Sequence, residues 1–137
     1  MYLKAFTPPI LWLIISTLLL SVPGSDIPHV RFLDFPYSDK LIHVGMFALL
    51  SALFSYPFTL AAEDFIVLRK KFTTTAMCVL AYGVLMEFVQ KYFVPGRSFD
   101  FLDIVSDGIG SLAGVLSVMK IYHKKIGPDG NRGRNQN

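Results

Sequence analysis

Four apolar stretches constrain this chain more than any other feature of its sequence. They run from about 6 to 22, 41 to 60, 72 to 90 and 101 to 122. A helix rises 1.5 Å per residue, so about 20 residues cross the roughly 30 Å of hydrocarbon in a bilayer. The pattern predicts an all-α polytopic membrane protein, a bundle of four transmembrane helices. Composition agrees: 17% of residues are charged and 53% are apolar, against about 25% charged in soluble domains. At 137 residues the chain makes one domain at most, and four long apolar spans exclude a soluble enzyme in practice. The lone cysteine, Cys78, excludes an internal disulfide; its apolar neighbours predict an inert buried thiol.

In the first stretch, Pro8 and Pro9 suit a helix start and Trp12 suits an interfacial anchor. A signal peptide is the competing reading, because Lys4 precedes a short apolar core. Ser21-Val22-Pro23-Gly24 is not an A-x-A-like cleavage site, so an uncleaved helix fits better. Residues 23–40 read as a linker, with Phe32, Phe35 and Tyr37 suited to the membrane interface. Ser38 or Asp39 then serves as N-cap of the second helix. The membrane domain is expected over 1–122. A basic tail over 123–137, rich in Gly, Asn, Lys and Arg, is expected to be disordered.

Lysines and arginines set the orientation. Four spans place the N-terminus, the 61–71 loop and the tail on one side. That side holds Lys4, Arg69, Lys70, Lys71, Lys120, Lys124, Lys125, Arg132 and Arg134, nine in all, against Arg31, Lys40, Lys91 and Arg97 on the other. Positive charge accumulates on the cytoplasmic side, so both termini are expected there. The same placement explains the basic residues without nucleic acid; the bilayer is the partner they address.

This topology brings the unusual polar residues to one surface. Asp39, Lys40 and His43 open the second span, Glu87 and Gln90 end the third, and Arg97, Asp100, Asp103 and Asp107 lead into the fourth. All are expected at the outer face. Asp107 lies six residues into the fourth stretch, about 9 Å deep at helical rise. A carboxylate in mid-membrane costs roughly 2.5–3.5 kcal/mol, so Asp107 needs a partner or a cavity. Arg97 and Lys40 are the cationic partners expected, and a protonated Asp107 is the other solution. Small residues on the third span (Ala76, Gly83) and the fourth (Ser106, Gly110, Gly114) form stripes expected to pack on each other. For the second span, sequence leaves open whether the His43–Phe47–Leu50 face or the Gly45–Ala48–Ala52 face meets the bundle.

At these residues the sequence resembles the VanZ-like family of small bacterial integral membrane proteins. The matching pieces are Asp39-Lys40-Leu41-Ile42-His43, Glu87-Phe88-Val89-Gln90, Pro95-Gly96-Arg97-Ser98, Asp100, Asp103, Gly110 and Gly114, together spanning about 39 to 116. Asp107 departs from the pattern, which has asparagine there. The resemblance implies a four-helix protein of the bacterial cell envelope, in the cytoplasmic membrane. It does not imply a reaction, and the antibiotic resistance for which the family is named does not transfer.

Two functional readings follow. In the first, Glu87, Asp103, Asp107 and His43 supply acid–base groups at the outer face. Arg97, Lys40, Gln90, Asp100 and Asp39 then hold a lipid-linked or cell-wall-related substrate. A divalent metal bridging the carboxylates and a phosphate is chemically sensible, though no specific motif marks one. No G-x-S-x-G, H-E-x-x-H or P-loop motif appears. In the second, the protein is a non-enzymatic binding or assembly factor and the cluster is an ion-pair clasp.

Overall fold

The computed structural model describes residues 3–23, 36–61 and 64–126. These residues form four long helices and no strand: α1 (Thr7–Leu20), α2 (Ser38–Ser55), α3 (Phe65–Phe93) and α4 (Phe101–Ile126). Short 3-10 turns at Leu3–Phe6 and Tyr56–Leu60 extend α1 and α2. With those turns, all four are long and apolar enough to cross a membrane.

The helix ends differ from expectation for local reasons. α3 starts at Phe65, well before 72, because Arg69, Lys70 and Lys71 are good helix formers whose charged heads reach outward from a helix as easily as from a loop. α2 starts at Ser38 after Tyr37 in the left-handed region (φ 68°), with no side-chain cap. Neither Ser38 nor Asp39 is therefore the N-cap; Asp39 lies in the first turn, where the helix dipole favours an acid. α4 continues to Ile126, past the expected end at 122. Most of the expected linker (24–35) and the tail after 126 lie outside the described residues.

α2 and α4 approach most closely. A Cβ added at Gly110 would fall on the Val44 carbonyl oxygen, and one at Gly114 on the Ala48 carbonyl oxygen. The Gly110/Gly114 pair thus packs against α2, not against α3 as the stripes suggested, since Ala48 and Ala52 give α2 the matching small face. Both faces of α2 are used: His43, Phe47, Leu50 and Ser51 are buried on the side toward the core. Gly83 of α3 faces α4, where a side chain would strike the Asp107 carboxylate and the Phe47 ring.

Phe47, Leu50, Leu20, Val79 and Met86 form one buried cluster, and Leu68, Phe72, Ala76, Val115 and Val118 a second. Hydrogen bonds stitch the helices where apolar burial gives no advantage in lipid. Ser51 Oγ donates to the Ser111 carbonyl (2.7 Å) and Ser111 Oγ to the Ala76 carbonyl (2.9 Å), linking α2, α4 and α3. Trp12 Nε1 donates to the Met46 carbonyl at 3.1 Å, so this indole ties α1 to α2 and does not serve as a free interfacial anchor. Tyr82 Oη lies 2.9 Å from Thr17 Oγ1, joining α1 to α3.

The outer surface is apolar, with Ile10, Leu11, Leu49, Met77, Leu85, Leu112 and Leu116 exposed. Such a surface is a liability in water and a match for lipid. Cys78 is on it, which corrects the expectation of a buried thiol: a run apolar on all sides does not say which side faces inward.

Candidate functional site

A short reversal builds one end of the bundle. Between α3 and α4, Val94-Pro95-Gly96-Arg97 closes with the Arg97 N–H on the Val94 carbonyl (3.3 Å), and Gly96 has φ 73°. Proline second and a left-handed glycine third define a type II turn, a backbone that other residues adopt only with strain. The chain then returns close enough for the Asp100 N–H to donate to Glu87 Oε2 at 2.8 Å. Asp100 also caps α4, its Oδ1 accepting the Leu102 N–H at 2.8 Å.

The start of α2 meets this corner. Lys40 Nζ lies 2.8 Å from Asp39 Oδ2, 2.5 Å from Asp100 Oδ2 and 2.7 Å from Asp103 Oδ1. One ammonium therefore joins α2, the turn and α4. Asp100, outside the spans, has its carboxyl held below the usual carboxylate range, chiefly by this Lys40 contact.

One turn deeper, His43 Nδ1 is 2.8 Å from Asp107 Oδ1, and the imidazole stacks on Phe47 at 6.1 Å between ring centres. His43 Nε2 stands 3.9 Å from Asp103 Oδ2. Relative exposures are 5% for His43, 1% for Glu87, 7% for Asp103 and 1% for Asp107, so these groups sit inside the protein. Burial of this kind demands paired charges, because an isolated ion in a low-dielectric medium is very costly.

Seven of the nine expected polar site residues thus converge: Asp39, Lys40, His43, Glu87, Asp100, Asp103 and Asp107. The other two reach elsewhere. Gln90 Nε2 donates to the Leu20 carbonyl at 2.9 Å, fastening the end of α1. Arg97 Nε reaches the Val22 carbonyl at 3.5 Å, the outer limit of a hydrogen bond, and forms no ion pair among the described residues. Asp107 is therefore partnered by His43, not by Arg97 or Lys40. The reason is register: His43 is one turn below Lys40 on α2, level with Asp107 one turn below Asp103. That pairing places the His43 side chain in the cluster. Sequence reasoning missed the Ser51–Ser111 relay, since serines in an apolar run give no sign of their acceptors.

A cavity of about 630 Å³ lies elsewhere, lined by Leu13, Leu50, Phe54, Val79, Lys70 and Lys71 among others; no member of the cluster lines it. Its lining includes no carboxylate or imidazole.

Fold and cluster define a multi-pass helical membrane protein with a buried acidic corner at one end of the bundle. Residues 9–122 match the VanZ/LLP1 family, and the chain belongs to that family. It is 36% identical over 94 residues to the uncharacterized protein C11E3.10 of Schizosaccharomyces pombe. That alignment covers 68% of this chain and 53% of the yeast protein, so the chain spans about half the length of that relative. A yeast relative removes the ground for reading a bacterial source from the resemblance alone. No solved structure matches the chain significantly.

Proposed function

We propose that the buried corner is an acid–base site, at the extracytoplasmic face, for the polar part of a lipid-linked or cell-wall-related molecule. The observation that carries this reading is the His43–Asp107 pair, 2.8 Å apart and almost fully buried. A carboxylate on Nδ1 fixes the neutral imidazole with its proton on that nitrogen. Nε2 is then free to take a proton from a water or hydroxyl and to return it to a leaving group. Asp107 stabilises the imidazolium formed on the way. An asparagine at 107 would hold the ring but not that charge. Glu87 and Asp103 lie beside Nε2 as further proton carriers, and Arg97, on the turn at the same end, would meet a phosphate by swinging away from the Val22 carbonyl.

A second reading rests on Lys40, whose three carboxylate contacts make a clasp between α2 and the α3–α4 turn. The two part company on substitution. His43→Gln, Glu87→Gln, Asp103→Asn and Asp107→Asn are expressed singly in cells lacking the native gene, and lipid extracts and membrane accumulation are measured. The site reading expects normal accumulation with the lipid or lipid-linked pool of the deletion strain. If all four variants restore the wild-type pool, or if each merely fails to accumulate, the clasp is the better account.

A further inference from the structure

The buried part of the corner holds more carboxylates than cationic side chains. Glu87, Asp103 and Asp107 are nearly inaccessible, and the ammonium that meets Asp103, Lys40, is shared with Asp39 and Asp100. Three buried carboxylates therefore gather around one shared ammonium and one imidazole. Helix dipoles do not remove the excess. The N-terminus of α4 favours Asp100 and Asp103, but Asp107 is beyond its first turn, and Glu87 lies in the C-terminal part of α3, where the dipole has the opposite sign.

A second, independent observation concerns His43. Its Nδ1 is committed to Asp107, yet Nε2, on a side chain 6% exposed, has no hydrogen-bond partner among the described residues. That nitrogen points toward Asp103 Oδ2 at 3.9 Å. His43, Glu87 and Asp103 each offer one ligand atom, all within 4.8 Å of one another. Glu87 uses Oε2 on the Asp100 N–H, which leaves Oε1; Asp103 uses Oδ1 on Lys40, which leaves Oδ2. An imidazole that gives Nδ1–H to a carboxylate and presents a bare Nε2 is oriented as metal-ligating histidines are.

We propose that His43 Nε2, Glu87 and Asp103 bind one divalent transition-metal ion, with Asp107 as the residue that positions the imidazole. One nitrogen and two carboxylate oxygens suit zinc or manganese, whereas magnesium and calcium prefer oxygen alone. Bonds of about 2.0–2.2 Å hold neighbouring ligands roughly 3–3.5 Å apart, so side-chain movements of about 1 Å draw the three ligand atoms, now within 4.8 Å of one another, into a set. Three protein ligands leave a coordination position open for water or for a phosphate oxygen, which gives the acid–base site its electrophile. The inference rests on the reading of the corner as a site and names that site's cofactor, but it gives the Nε2 lone pair to the ion, so the proton-accepting role falls to a carboxylate oxygen of the corner.

The test uses the full chain, purified in detergent, stripped with chelator and titrated with Zn²⁺ and Mn²⁺ alone. About one equivalent of either ion should bind. His43→Gln and Glu87→Gln should each weaken binding at least 100-fold, and Asp107→Asn about 10- to 100-fold. Asp64→Asn, at the opposite end of α3 from the cluster, should leave it unchanged. X-ray absorption on the zinc-loaded wild type needs no variant to fold: one imidazole with oxygen neighbours supports the assignment, whereas sulfur or a second imidazole overturns it. Binding below a tenth of an equivalent for both ions, or equal loss in Asp64→Asn and His43→Gln, also overturns it. An absent metal together with altered lipid pools in the four variants above would sink this inference while leaving the acid–base reading intact.

Discussion

Asp100 does three jobs with one residue: it caps α4, it donates its N–H to Glu87, and it receives the Lys40 ammonium. Because Lys40 holds its carboxyl below the usual range, the folded protein keeps Asp100 charged where an unfolded chain, with a carboxyl near 3.9, has begun to protonate it. The pair's contribution is therefore complete above about pH 4 and is lost as pH falls through the lower folded value. Its side chain is 39% exposed, so solvent screens the effect and keeps it small. Asp100→Asn preserves the cap, since asparagine caps as well as aspartate, and removes only the charge. Melting in detergent from pH 6 to pH 3 should show the gap between wild type and variant closing toward the acid end; a constant gap would mean that the ion pair contributes nothing.

Helix against helix, the decisive contacts are backbone to backbone. Gly110 and Gly114 let α4 lie directly on Val44 and Ala48 of α2, and that approach sets His43 level with Asp107. Gly110→Ala would put a methyl onto a carbonyl oxygen that has nowhere to move. The expected cost is about 1–3 kcal/mol, as for other overpacked sites. Gly108→Ala is the control, because the nearest atom to its added Cβ is a Leu80 methyl at ordinary contact distance, 3.6 Å. Thermal unfolding in detergent should separate the two variants clearly. Equal stability would show that the α2–α4 interface is looser than its geometry implies. The glycine spacing was legible in the sequence, but its partner was not. Small residues mark α2, α3 and α4 alike, and spacing within one helix carries no information about which neighbour fills the groove.

For the whole molecule, the nine-to-four distribution of lysine and arginine between the two sides predicts by the positive-inside rule that the acidic corner is extracytoplasmic. Single cysteines report on this directly in a Cys78→Ser background, since Cys78 is exposed on α3. Ser98→Cys, beside the corner, should react with a membrane-impermeant maleimide on intact cells, and Arg69→Cys only after permeabilisation. The reverse pattern would place the cluster in the cytoplasm and end any extracytoplasmic role. The sequence by itself determined the helical class, the number of spans and the end of the bundle where the acids gather. Span length, direction of travel and position along a helix are local properties, and they read directly from the order of residues. Only the tertiary structure decided that Asp107 meets His43, that Gly110 meets Val44, that Arg97 turns toward α1 and that Cys78 faces outward. Those outcomes depend on how each helix is rotated about its axis. In lipid an apolar side chain is equally at home inside or outside the bundle, so hydrophobic pattern does not fix that rotation; the close approach of backbones and the pairing of buried polar groups do.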